Sequence, residues 1–226
     1  MLYSFKGGKD GASPNGGLIF NTAGAIYGTT LWGGSTTCQG VGCGTAFELK
    51  PPTKTGGKWA EKVLHRFTDG SDGASPNGGL IFDANGLLYG TGVGGGSGRV
   101  GVVFRLRPKQ SGGWVETVLY NFQGSTDGRN PSGPVTFDPD GNLYGTTNAG
   151  GSNFGGTLFR MTPAKRQEVR WVFALLYSYK GPPDSQFPAA RLIFDKNGTL
   201  YSTTSNGGTG QACQAGCGAV FKASSK

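Results

Sequence analysis

Residues 134–147 read Pro134-Val135-Thr136-Phe137-Asp138-Pro139-Asp140-Gly141-Asn142-Leu143-Tyr144-Gly145-Thr146-Thr147. Two short apolar runs flank a turn of Asp, Pro, Asp and Gly. Asp accepts local backbone hydrogen bonds and Gly supplies positive φ, so the pattern predicts a β-hairpin. The same pattern returns at Gly17–Thr29, Gly79–Thr91 and Arg191–Thr203. Its landmark phenylalanine stands at Phe20, Phe82, Phe137 and Phe194, in steps of 62, 55 and 57 residues. Two more landmarks keep the same order. One is Leu2–Phe5, Leu64–Phe67, Leu119–Phe122 and Leu176–Tyr179; the other is Phe47, Phe104, Phe159 and Phe221. Each period holds four strand-sized runs, and a repeat of about fifty residues with four strands is a propeller-blade signature. Gly interrupts every window long enough for a helix.

Composition agrees. The chain of 226 residues has 44 Gly in no three-residue period, which excludes collagen. Aromatic residues make up 12%, more than a disordered chain carries. The formal charge of +8 is spread along the sequence. Its densest group is Lys165, Arg166 and Arg170, in one inter-strand segment, so a solvated basic face is expected rather than a nucleic-acid site. No run of 18 apolar residues exists, so no membrane span is expected. Leu2–Phe5 matches the middle of a repeat. The start therefore reads as cut from a longer chain, and the missing leader says little about export.

The predicted architecture is all-β: one propeller of four four-stranded blades over 1–226. The repeats run roughly 6–67, 68–122 and 123–179, with 180–226 plus 1–5 as the last. The Leu-Ile-Phe run is assigned innermost, as a continuous apolar run dehydrated on both faces. The outermost run begins at Trp59, Trp114 or Trp171, five positions before its Leu. Residues 1–5 are expected to supply the outer strand missing from the last blade and so close the ring.

Three segments carry a family resemblance: Trp114–Phe122, Phe137–Thr147 and Gly156–Arg160. They resemble the bacterial GloVer tandem-repeat family over nearly the whole chain. That resemblance implies an exported or surface-anchored protein and carries over no catalytic residue. The turn Asp138–Tyr144 is also similar to turns of gluconolactonase-like and NHL propellers, whose enzymes hold calcium in the central channel. Here the matching Asp residues lie in hairpin turns.

Candidate site residues follow from the repeat. Cys38 and Cys43, and Cys213 and Cys217, lie in the loops after the Leu-Tyr-Gly strand of the first and last repeats. Those loops are five residues longer than the cysteine-free ones, counted from Tyr to Phe as 20 against 15. Two local disulfides are expected; a shared four-thiolate zinc site and reduced pairs are the alternatives. Asp10, Asp72, Asp127 and Asp184 recur before Pro14, Pro76, Pro131 and Pro188. They read as caps of the long inter-blade link, or else as a carboxylate ring binding a cation or sugar. Trp32, Phe154 and Phe187, with Asn148 and Asn206 beside the rim loops, are the candidate ligand contacts. His65, the sole histidine, occupies a Tyr position and reads as an orphan strand residue.

The leading functional expectation is a non-catalytic extracellular or surface module that holds a glycan or protein partner on its loop rim. The alternative is a lactonase- or glycosidase-like propeller hydrolase, which needs paired acids or a metal-held water in the channel. No cofactor or metal is assigned. The chain is expected as a monomer, or as a dimer completing a larger ring.

Overall fold

The computed structural model describes residues 1–163 and 170–225. Lys165 and Arg166 of the basic group lie outside the described residues. Seventeen strands form among the described residues, with one short 3-10 turn at Gly8–Asp10. They make four antiparallel sheets arranged as the blades of a β-propeller. Blade 1 holds β1 (Ala12–Pro14), β2 (Ile19–Phe20), β3 (Ile26–Trp32), β4 (Thr45–Lys50) and β5 (Ala60–Arg66). Blade 2 holds β6 (Ile81–Phe82), β7 (Leu88–Gly92), β8 (Val102–Pro108) and β9 (Trp114–Asn121). Blade 3 holds β10 (Thr136–Phe137), β11 (Leu143–Thr147), β12 (Thr157–Thr162) and β13 (Val172–Ser178). Blade 4 holds β14 (Ser185–Pro188), β15 (Ile193–Phe194), β16 (Thr199–Gly207) and β17 (Ala219–Ser224).

The turn chemistry is the one the sequence predicts. Asp83 Oδ1 accepts the backbone N–H groups of Asn85 and Leu87 at 2.9 and 2.8 Å, and Gly86 takes φ 77°. Asp138, Asp195 and Asn21 repeat the arrangement in the other blades. The strand order β10-β11-β12-β13 confirms the expected phase, with the Phe137 run at one edge and the Trp171 run at the other. Asn15, Gly16, Asn77, Ser132 and Ala189, from the inner segments of all four blades, converge on a central channel of about 390 Å³.

Blades join through a contact set that repeats three times. The Tyr of the second strand meets the inner Phe of the next blade edge-on: Tyr27–Phe82 at 5.1 Å, Tyr89–Phe137 at 5.0 Å and Tyr144–Phe194 at 5.2 Å. The aromatic ending the outer strand packs on the next blade's third strand: Phe67–Phe104, Phe122–Phe159 and Tyr179–Phe221. Backbone bonds cross as well. Ser75, Asn130 and Phe187, all at positive φ before a proline, donate N–H to the carbonyls of Cys43, Val100 and Gly155. Offset and edge-on ring pairs are favoured by the ring quadrupole.

Two expectations need correction. The inner run is only two residues long and half-exposed or exposed, as in β2 and β6. The dehydrated strand is the second one: all five residues of β7 and of β11 are buried. Sheet faces stack at the middle of each blade, while the inner edge borders the open channel. The expected closure by residues 1–5 is not formed either. Residues 1–6 make no strand, and β17 pairs only with β16. Blade 4 reaches four strands because β14 and β15 both pair with β16; it has no counterpart of β5, β9 or β13. The N-terminal segment instead lies on blade 1, where Phe5 meets Phe47 at 4.9 Å.

Phe122 is fully buried between Phe159 and Phe173, whereas Phe154 is exposed. Phe122→Ala is expected to destabilise the chain by about 3–5 kcal/mol and Phe154→Ala by under about 0.5 kcal/mol, read from urea midpoints.

Candidate functional site

The recurring aspartates form one local device, used four times. Each accepts a side-chain bond from the residue seven positions earlier: Tyr3 to Asp10, His65 to Asp72, Tyr120 to Asp127 and Tyr177 to Asp184, at 2.8–3.1 Å. Each also accepts the backbone N–H four positions earlier, from Lys6, Thr68, Gln123 and Lys180. The carboxylate therefore ties the start of the long link to the end of the outer strand, as a capping side chain does. Each of the four sits in its own link, bonded within it. No group of three or more His, Cys, Asp or Glu side chains suited to a metal forms among the described residues.

The cysteines form two disulfides, Cys38–Cys43 and Cys213–Cys217, each stapling one extended rim loop. Phe187, Asn148 and Asn206 lie where blades 3 and 4 meet, and exposed Phe154 precedes Gly155 at the same joint. Phe187 donates its N–H to Gly155 O, and the Ser205 hydroxyl has Asn206 Oδ1 at 3.0 Å and Phe187 O at 3.3 Å as alternative acceptors. A Cβ on Gly156 would lie 2.9 Å from Pro188 and 3.1 Å from Asn148 O, which places Asn148 in the same cluster. Trp32 stands apart in blade 1, at the end of β3 opposite Ala12. The central channel is lined by glycine, small polar and aliphatic residues at related repeat positions, with Arg191 as the one charged side chain among the described residues of its lining.

A cleft absent from the sequence-based expectations opens on the opposite rim, between blades 2 and 3. Its volume is about 620 Å³, and Phe82, Tyr89, Phe137 and Trp171 supply its aromatic wall. Asp83, Arg105 and Asp138 supply its charges. Tyr89 OH donates to Asp83 Oδ2 at 3.1 Å, and burial pushes the phenol up to about 12. Arg105 lies close enough to the Tyr89 hydroxyl to offset part of that rise; its buried Nε, like that of Arg160, makes no hydrogen bond among the described residues.

The corresponding joints differ. Between blades 1 and 2 the charge pattern is exchanged: Asn21 takes the turn position and Glu48 the Arg105 position, and Tyr27 OH donates to Glu48 at 2.6 Å. Between blades 3 and 4, Arg160 Nη1 and Tyr144 OH both donate to Ser225 O, so the C-terminal segment occupies that joint. The signal for the cleft was present in the sequence as Arg105 following the Tyr89 repeat. The sequence could not show that Trp171 of the next blade would face it.

A third cluster sits between blades 1 and 2. Burial alone would push Asp72 up, but donors from His65 and Thr68 outweigh it and hold the carboxyl below its ordinary value. Glu116 on β9 is half-buried near that carboxylate, with Oε1 unpartnered. Burial first, and the charge of Asp72 second, push its pKa up to about 7. In the next joint the same place holds Phe173, stacked on Tyr120 at 4.1 Å.

A family model described as the Gloeobacter/Verrucomicrobia repeat matches residues 1–225. No curated protein matches the chain.

The folded chain holds a proton on Glu116 that the unfolded chain releases near 4.5. Stability is therefore expected to fall as pH rises from 4.5 to about 7 and to level off above. The full shift would correspond to about 3 kcal/mol, and partial solvent access reduces it to about 1 kcal/mol. Glu116→Gln should flatten that segment of the pH–stability curve, measured by thermal melts at pH 4.5 and 7.5.

Proposed function

Since the chain belongs to the Gloeobacter/Verrucomicrobia repeat family, we propose that it is a non-catalytic, extracellular or surface-associated propeller module that holds a glycan in the cleft between blades 2 and 3. The carrying observation is the union of an aromatic wall with Arg105, Asp83 and Asp138 in one open cleft. Aromatic faces stack on the apolar faces of sugar rings, and charged groups aimed into a cleft orient hydroxyl or carboxylate groups. The Arg105 guanidinium beside the aromatic wall favours a ligand bearing carboxylates, such as an acidic polysaccharide. The two disulfides support an oxidising setting, because such bonds persist outside the cytosol. The two acids of the cleft are held as turn residues: Asp83 and Asp138 each accept backbone N–H groups of their own hairpins, which supports binding over hydrolysis.

Titration calorimetry against neutral and acidic oligosaccharides tests the proposal. Arg105→Met should weaken binding of the acidic ligands about 10- to 100-fold with an unchanged melting temperature. Binding that survives Arg105→Met but is lost in Trp32→Ala would move the site to the cysteine rim.

A further inference from the structure

The two ends of the blade stack carry opposite halves of a contact that the chain makes three times internally, and they do not meet each other. At the residues equivalent to Val220, Ala46, Val103 and Leu158 are fully buried, whereas Val220 is 78% exposed. Leu80, Val135 and Leu192 are buried, whereas Leu18 is 58% exposed. Phe82, Phe137 and Phe194 each meet a Tyr of the preceding blade, whereas Phe20 is 66% exposed and Tyr201 has no such partner among the described residues. The backbone repeats the pattern. Phe67, Phe122 and Tyr179 donate N–H to Gly44, Gly101 and Gly156 of their own blades. The fourth pair would be Phe5 N–H and Gly218 O, and it is not formed within the chain.

We infer that these ends join head to tail between two copies of this chain, with residues 2–5 of one copy adding as the outer strand of the other copy's blade 4. The N-terminal segment is already held in the required place. Tyr3 to Asp10 and Phe5 on Phe47 reproduce His65 to Asp72 and Phe67 on Phe104. It thus lies on blade 1 as the end of β5 lies on blade 2. The open edge of β17 offers the backbone ladder that such a strand completes. Register follows from blade 1, where Ala46 faces His65 and Thr45 faces Arg66. Tyr3 of one copy therefore faces Val220 of the other, and Ser4 faces Ala219. Phe20 then covers Tyr201, and Ser13 N–H reaches Cys217 O as Ser75 N–H reaches Cys43 O. The occupant is a second copy because both halves of the interface, down to the proline beside the glycine (Pro76 against Gly44), are present on this one sequence. Such a contact is heterologous, and two of them close a ring of eight blades.

Sedimentation equilibrium on residues 1–226 should give the mass of two copies. Val220→Asp should give one copy with an unchanged melt of the single chain, since Val220 is solvent-exposed there. Every native cysteine is in a disulfide, so introduced thiols report cleanly. A chain with Tyr3→Cys mixed with a chain carrying Val220→Cys should cross-link on mild oxidation, while neither should cross-link alone. A single-copy mass for the unaltered chain, or a two-copy mass that persists in Val220→Asp, would overturn the inference.

Discussion

The structure depends on one constraint: no blade can dehydrate its own faces. A single sheet presents aromatic side chains on both sides, and only the neighbouring sheet removes them from water. The repeated Tyr–Phe edge contact between blades answers that need with nearly constant geometry, 5.0–5.2 Å at each of three joints. Backbone donors from strained residues before proline lock the same joints. The resulting stack is held by contacts that are local in the ring although distant along the chain.

Side chains that resemble a catalytic or metal set also make the bonds that hold this scaffold. Asp10, Asp72, Asp127 and Asp184 each bond the residue seven before and the amide four before, so their spacing reflects the geometry of a link. The turn residues Asp83, Asp138 and Asp195 hold hairpins and orient a Tyr hydroxyl. Repetition of a carboxylate in a repeat protein is thus first a statement about turns. Departures from the repeat point elsewhere. Arg105 in an open joint, Glu48 exchanged into its place in blade 1, and Glu116 where blade 3 has Phe173 are the positions where one blade differs from the next.

The same contrast separates the filled joints from the open one. Where Ser225 lies against Arg160, the guanidinium has a partner. Where Glu48 replaces the arginine, a Tyr hydroxyl is held instead. Among the described residues, the cleft between blades 2 and 3 keeps the aromatic wall and has neither of these two partners.

The sequence by itself determined the strands, their turns and the phase of the blade, because hairpin chemistry is local: Asp138 and Gly141 specify a turn wherever they stand. The disulfide pairs were equally legible, since five and four residues separate their members. Tertiary structure alone decided what faces what. Only stacking places Trp171 opposite Tyr89 to make a cleft, buries β7 and β11 rather than the inner run, and leaves Phe20 and Val220 in water. These outcomes depend on the angle between neighbouring sheets, which short-range patterns along the chain do not encode.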